Sequence, residues 1–340
     1  MVKDKKLLCI CSSTYQVIVL TKIIKCFYHD FVVDIIFTNY MKKYKFIANN
    51  YQMSTLCRWA YPINVDCIRY SDNYSSQIFF FEDKYDEMLI HNFGKVCTYF
   101  VNLLEEQQNI HVNLSLYEDG MASYSKIYEI YYVNAHLRLK KVKQIYAFEP
   151  DFFDWVPPFR VTRIPKISTD DLFIISFLNK VFEYDKCMLS CPPIIYVESI
   201  AGLYGYDSQE KEILSGIVQK IGKDKLIVKR HPRNIDYILE GVNYFDSRFQ
   251  FIPFELMLLN KSLNDKILLT ISSNGVYSAV MMFDIPITAV SLLGCMRNRP
   301  DFIDKGLKRC IDKMHKKNPD FFYLAYNIKD AVDYLNKLMS

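Results

Sequence analysis

The sequence predicts an α/β protein built from two Rossmann-like domains that face each other across a central cleft. Three observations carry this reading. Short apolar runs with strand character alternate along the chain with segments of helical spacing, the pattern of parallel sheets covered on both faces. The alternation breaks around residues 150–190, where Pro150, Pro157, Pro158 and Pro165 cluster, and restarts at Pro193. Three apolar runs end on polar, turn-forming clusters: Tyr117-Glu118-Asp119-Gly120, Lys229-Arg230-His231-Pro232-Arg233 and Ser272-Ser273-Asn274-Gly275. In open α/β sheets, ligands bind outside the carboxyl ends of the strands.

The elements follow in order. Leu7–Cys11 reads as a buried strand, and Ser12-Ser13-Thr14 as the turn after it. From Tyr15 to Tyr28, Val17, Leu20, Ile23, Ile24 and Phe27 have helical spacing. Val32–Phe37 is a strand, Lys42–Tyr51 a helix and Ile63–Ile68 a strand. Asp86–Gln107 reads as one long helix with Gly94 inside it, and Ile110–Leu116 as the strand that runs into Glu118. Residues 1–150 form the expected N-terminal domain and 151–192 the linker and crossover. The domain over 193–340 then opens with the strand Ile194–Val197. There follow a helix over Ser208–Ile221 with Gly222 as its C-cap, a strand over Lys225–Lys229 and a helix over Phe254–Leu259. A strand at Ile267–Ile271, a helix at Val276–Phe283, a strand at Ile285–Val290 and helices near Asp301–Lys316 and Ile328–Met339 complete the chain.

Composition narrows the classes. In 340 residues, 51% are hydrophobic, enough for a large core, and 42 basic residues are nearly balanced by 38 acidic ones. A net charge of +4 spread along the chain does not support nucleic-acid binding. It suits an anionic small molecule or a weak attraction to an anionic membrane surface. The ten cysteines show no paired zinc-ligand spacing and read as reduced thiols, so no metal site is expected. The N-terminal apolar run stops at Ser12-Ser13, too short for a signal peptide or a span. The expectation is a cytoplasmic protein.

The clusters carry the chemistry. His231 ends a strand at a proline, which cannot continue the ladder, and Arg230 and Arg233 beside it make a socket for phosphate. Glu118 and Asp119 are adjacent carboxylates that repel, so one is expected to keep its proton to higher pH. Gly120 permits the sharp turn that aims a carboxylate into the cleft. Ser272 and Ser273 at a helix start offer hydroxyls and free amides to an anion. Glu255, in a first helical turn, complements the helix dipole or accepts hydrogen bonds from a ribose. Asp207 caps the 208–221 helix or supplies a base. These pieces fit glycosyl transfer from a nucleotide sugar, which needs a carboxylate at the acceptor hydroxyl and a cationic or acidic group at the departing phosphate.

The ordered set resembles bacterial sialyltransferases, in particular glycosyltransferase family 52, typified by lipooligosaccharide α-2,3-sialyltransferases. The likeness rests on Cys11-Ser12-Ser13-Thr14-Tyr15-Gln16, where the family's first loop has a Thr and a Gln at similar positions and where Ser13 and Gln16 are the expected substrate contacts, on Tyr117-Glu118-Asp119-Gly120, on His231-Pro232-Arg233 and on Ser272-Ser273. It implies a GT-B-like fold, CMP-sialic acid as donor, a galactoside acceptor on a lipooligosaccharide or capsule, inversion, and no metal or other cofactor. It also implies His231 as the acid at the CMP phosphate, and as base either Asp207 or, as in related families, Asp119. It further implies dimerisation; a place at the inner face of the membrane is expected from the net charge and not from the resemblance, since the sequence lacks the N-terminal membrane anchor of some members. The sequence has Glu-Asp where the family often has Asp-Asp. Two other readings stand beside this one: a transferase with another donor, such as a UDP-sugar or a polyol-phosphate nucleotide, and a non-catalytic protein that binds nucleotides or glycans.

Overall fold

A computed structural model describes the 340-residue chain apart from residues 1–4, 54–55, 66–79, 82, 110, 127–128, 130–141, 186–190, 201–204, 235, 262, 264 and 300–305. It contains two all-parallel sheets. The first has seven strands: β1 (Lys6–Cys11), β2 (Val32–Thr38), β3 (Trp59–Ile63), β4 (Glu87–Ile90), β5 (Asn113–Tyr117), β6 (Val142–Ala147) and β7 (Arg160–Arg163), in the order β3-β2-β1-β4-β5-β6-β7. The second has six: β8 (Ile194–Val197), β9 (Leu226–Lys229), β10 (Asn243–Tyr244), β11 (Ile267–Thr270), β12 (Thr288–Ser291) and β13 (Phe322–Leu324), in the order β10-β9-β8-β11-β12-β13. Both sheets therefore wind outward in two directions from their first strand. Each has a switch point, beside β1 and β4 and beside β8 and β11, where the crossovers diverge and leave a crevice.

Central strands explain the core. Leu7 to Cys11, Ile194 to Val197 and Ile267 to Thr270 are buried along their whole length. Strands covered on both faces read as unbroken apolar runs rather than alternations. The helices that cover the first sheet include α1 (Thr14–Phe27), α2 (Tyr44–Gln52) and α3 (Lys95–Gln108), followed by the short α4 (Met121–Tyr124). In α1 every residue from Tyr15 to Ile24 is buried, the spaced Val17, Leu20, Ile23 and Ile24 among them, so the helix is covered all round over that stretch.

The structure revises several elements. The long helix expected over 86–107 is a strand and a helix, because the run Glu87-Met88-Leu89-Ile90 lies buried between β1 and β5. Four residues carry too little periodicity to tell a strand from a helical turn, and sheet burial decides. The strand expected at 63–68 ends at Ile63, having begun at Trp59, and residues 66–68 lie outside the described residues. Within the stretch read as linker, β7 extends the first sheet through its pairing with β6. Its sequence, Arg-Val-Thr-Arg, has the polar ends of an edge strand. The same stretch holds α5 (Leu172–Phe182), which packs on α1 and α2. The second sheet is covered in part by α6 (Asp207–Ile221), α7 (Phe254–Leu259), α8 (Asn274–Met282), α9 (Lys308–Lys317) and α10 (Ile328–Met339). Residues 301–305 of the helix expected at 301–316 lie outside the described residues.

The two sheets are tied together by contacts of different kinds. The Ile167 amide donates to the Met282 carbonyl at 2.9 Å. Asn179 on α5 and Asn260 after α7 exchange side-chain hydrogen bonds at 2.8 Å. Helix α9 reaches back to the first half, where Lys317 meets the buried Glu149 at 2.6 Å and Lys313 donates to the Phe153 carbonyl at 2.6 Å. The eight described cysteines are free thiols, and among the described residues no helix is long and apolar enough to cross a membrane.

Gly294 marks a tight approach in the second sheet. A Cβ there would lie 2.2 Å from the Ala325 carbonyl oxygen and 3.1 Å from the Tyr326 Cα. Both are backbone atoms with no rotamer to relieve the clash. Gly294→Ala is expected to cost about 1–3 kcal/mol, read as a lower urea midpoint at unchanged slope.

Candidate active site

The Glu-Asp-Gly turn sits at the carboxyl end of β5, and its two carboxylates have opposite surroundings. Glu118 is fully buried. Tyr15 and Tyr124 donate their hydroxyls to it, and the Phe148 amide donates at 2.9 Å. Burial pushes its carboxyl up to about 8, with the donors opposing and Asp119 adding only a small part. The high pKa expected from two adjacent carboxylates is thus present, but its main cause is desolvation rather than repulsion. Asp119 keeps a side chain that is 34% exposed. Gly120 follows at φ 72°, in the left-handed region that favours glycine. A Cβ there would also lie 2.5 Å from the Asn274 side chain.

Gln16 fixes the direction of Asp119. It is buried, accepts from the Ser12 amide at 2.6 Å and donates to Asp119 Oδ1 at 2.7 Å. Ser13 caps α1, accepting from the Gln16 amide at 3.2 Å. The loop after β4 brings His91 to the same place. Its Nε2 lies 3.2 Å from Ser12 Oγ, and its Nδ1 lies 3.7 Å from Asp119 Oδ2. His91 is hidden in the sequence because it falls inside a stretch that reads as helix; the signal is the pattern Ile90-His91-Asn92-Phe93-Gly94, an apolar run ending in a turn. Ser12, Ser13, Gln16, His91, Lys95 and Asp119 line a cavity of about 370 Å³ together with Arg233 from the other half; His231 is not among its lining residues.

On that other half, Glu198 at the end of β8 organises the His-Pro-Arg turn. It is 1% exposed, and its Oε2 accepts from the His231 amide at 3.0 Å and from Asn234 Nδ2 at 2.9 Å. Burial raises its carboxyl, against the His231 and Asn234 donors and the nearby Arg230 and Lys229. His231 Nδ1 accepts from the Arg233 amide at 3.1 Å, which leaves the proton of the neutral ring on Nε2. Burial, then Arg233, Lys229 and Lys42, lower the imidazole to about 4. The ring is therefore neutral at pH 7 and presents an N–H donor, and a bound phosphate would draw its pKa upward. Lys42 crosses from the first half to donate to the Pro232 carbonyl at 2.6 Å. Arg230 turns aside, donating to the Asn234 carbonyl at 2.9 Å and stacking 4.5 Å from the Tyr237 ring centre.

The serine turn is partly engaged. The Ser272 amide donates to Ser199 Oγ at 3.1 Å and the Ser273 amide to Thr270 Oγ1 at 2.9 Å, so these two amides, expected to be free, have partners. Ser272 Oγ pairs with Tyr206 at 2.5 Å, and Ser273 is the N-cap of α8. Asn274 reaches the first half, accepting from the Met121 amide at 3.3 Å. Glu255 is buried and accepts from Ser278 at 2.8 Å; it faces the interior rather than decorating an exposed helix start. Asp207 does not cap its helix. Tyr206 holds the N-cap position, and Asp207 lies exposed in the first turn, outside the residues that line the cavity. Among the described residues, no three His, Cys, Asp or Glu side chains cluster as metal ligands.

No protein-family model matches the chain, and no curated protein matches it in sequence. Solved structures match it over nearly their whole length. A Methanocaldococcus jannaschii UDP-GlcNAc 2-epimerase in complex with UDP-GlcNAc and UDP has a TM-score of 0.57 at 12% identity, covering 98% of this chain and 93% of that one. The calicheamicin glycosyltransferase CalG4 has a TM-score of 0.52 at 10% identity, covering 99% and 90%. The GT-B domain of the Photobacterium damselae sialyltransferase has a TM-score of 0.50 at 13% identity, covering 94% and 100%. At such identities the likeness is one of fold. The chain has the GT-B fold, two Rossmann-like domains with the cavity between their facing loops.

Glu118 gives this site a measurable signature. Its carboxyl is raised in the folded state, so the folded state holds a proton that the unfolded state releases above about pH 4.5. That stability is present at low pH and is lost as pH rises toward about 8. The steepest loss for one proton is about 1.4 kcal/mol per pH unit. In urea titrations between pH 5 and pH 8, Glu118→Gln is expected to flatten the decline by up to this amount, while the similarly raised Glu210 keeps its own share.

Proposed function

We propose that the protein is an inverting, metal-independent sialyltransferase that moves sialic acid from CMP-sialic acid to a galactose-type hydroxyl of a surface glycan. The observation that carries this reading is the pairing across one cavity of Asp119, held by Gln16, with Arg233 of the His-Pro-Arg turn. Asp119 takes the proton of the acceptor hydroxyl, whose oxygen attacks the anomeric carbon as the bond to the CMP phosphate breaks. His231 donates from Nε2 to that phosphate, and Arg233 and Lys42 add positive charge. Ser272 and Ser273 serve the nucleotide, the buried Glu255 supports them through its bond from Ser278, and Ser13 and Gln16 serve the acceptor side. Asp119 is preferred to Asp207 as the base because Asp119 is held by Gln16 in the cavity that Arg233 also lines, whereas Asp207 is exposed in the first turn of α6. Glu118 and Gly120 hold Asp119 in place, and Arg230 and Pro232 shape the turn that carries His231.

The test is CMP release from CMP-sialic acid with lactose as acceptor. His231→Ala and Asp119→Asn are each expected to lose at least about 10²-fold in turnover, and Asp207→Ala to lose little. Unchanged turnover in Asp119→Asn would remove it as the base. A second reading, a UDP-sugar donor, is favoured by the fold shared with an epimerase that binds UDP-GlcNAc. A thermal-shift panel separates the two: stabilisation by CMP supports the first, and stabilisation by UDP alone replaces it with the second.

A further inference from the structure

His91 stands where β4 stops, beside the ends of β1 and β5 at the switch point of the first sheet. It is 7% exposed, yet it lines the cavity with Asp119. Its ring joins the core to the reactive carboxylate. Thr38, at the end of β2, donates to Ser12 Oγ at 2.9 Å, and Ser12 Oγ lies 3.2 Å from His91 Nε2. Cys97 Sγ lies 3.6 Å from the same nitrogen. The Tyr117 ring meets the imidazole edge-on, with centroids 6.0 Å apart. Nδ1, on the other side of the ring, lies 3.7 Å from Asp119 Oδ2.

This chain of groups sets the protons of the ring. Ser12 receives the Thr38 hydrogen, so its own hydroxyl hydrogen turns to Nε2, and the proton of the neutral ring then belongs on Nδ1. Burial opposes a charge on the ring, while Cys97 and then Asp119 favour it and bring its pKa to about 9. The charged ring carries a proton on both nitrogens. Nδ1 therefore presents an N–H toward Asp119 in either state. Cys97 on α3, Tyr117 at the end of β5 and Asp119 after it are the titratable groups that face the ring, and Lys95 and Arg233 line the same cavity. At 3.7 Å the contact with Asp119 is longer than a hydrogen bond. Contacts among catalytic groups are often long in the unliganded state and tighten in the substrate complex, and the Asp119 side chain, 34% exposed, has room to move.

We propose that His91 is a positioning residue for Asp119: its Nδ1–H holds Oδ2 while Gln16 holds Oδ1, which fixes the plane of the carboxylate offered to the acceptor hydroxyl. The inference rests on the reading of Asp119 as the base of the transfer. Ser12 and Thr38 stand one step behind and orient the ring. A carboxylate has about four acceptor positions, so two donors leave room for the proton that Asp119 takes from the acceptor, and His91 keeps its own.

Two measurements test it, the first without substrate. In protein labelled with ¹⁵N-histidine, the His91 ring is titrated by NMR, its signals assigned by their absence from His91→Asn. Asp119→Asn, at a partly exposed side chain, removes the anion that favours the charged ring and is expected to lower the His91 midpoint by about one pH unit. An unchanged midpoint would overturn the pairing. The second measurement is CMP release from CMP-sialic acid with lactose, in variants whose folding is compared by urea unfolding. The amide of His91→Asn places an N–H near the Nδ1 position, and that of His91→Gln reaches the Nε2 position instead. His91→Gln is expected to lower kcat about 10-fold or more with little change in the acceptor KM, and His91→Asn to recover most of that loss. Equal loss in both variants would overturn the positioning role. The two failures separate: no CMP release by the wild type fails the transfer reading, whereas the NMR midpoint decides the pairing whatever the donor.

Discussion

Parallel pairing is the constraint on which this structure depends. A parallel strand cannot return by a tight turn, so every strand must be followed by a crossover that carries the chain back over a face of the sheet. All the loops that leave the strand ends of one sheet then emerge along one edge. Where winding reverses, beside β1 and β4 and beside β8 and β11, the two flanking loops part and expose backbone and side chains together. Ser12 and His91 flank the first gap, and Glu198 and Ser272 the second. The residues that carry chemistry are far apart in sequence because this geometry, rather than proximity along the chain, brings them together.

Within that frame the protein separates carboxylates that hold structure from those that meet substrate. Glu118, Glu198 and Glu255 are buried, and each accepts hydrogen bonds that fix a turn or helix start beside the cleft. Burying a carboxylate is costly unless donors satisfy it, and the tyrosine hydroxyls, amides and serine supply them. Asp119 is the next residue after Glu118 yet retains solvent access. Adjacent residues point to opposite sides of a strand end, so one sequence motif delivers an anchor and a reactive group. The same division applies to the basic cluster, where Arg230 stacks on Tyr237 while Arg233 turns toward the cavity.

How much of this was legible followed from physical scale. Long amphipathic helices such as α6 declare themselves by period, and apolar runs that end on Glu-Asp-Gly, His-Pro-Arg or Ser-Ser-Asn declare a strand end. Four-residue buried strands do not. Misreading β4 as helix concealed His91, whose position depends entirely on where that strand stops. Lys42 and Glu198 were missed for another reason: their importance lies in partners 190 and 33 residues away. The edge strand β7 was hidden by arginines at both of its ends, which mimic a linker.

The contacts between the domains also differ in strength, and this bears on traffic through the cleft. On one side, α9 is fastened to residues 149–154 through the buried Glu149, the Phe153 carbonyl and Asp154. On the other, Lys42 donates an exposed hydrogen bond to the Pro232 carbonyl, worth about 1 kcal/mol, and Lys42 and Lys43 lie over the Phe251 ring. Thermal fluctuation breaks such a contact readily while the fastened side holds. Separating the halves at the mouth therefore costs less than separating them at α9, as exposed contacts open more readily than buried ones.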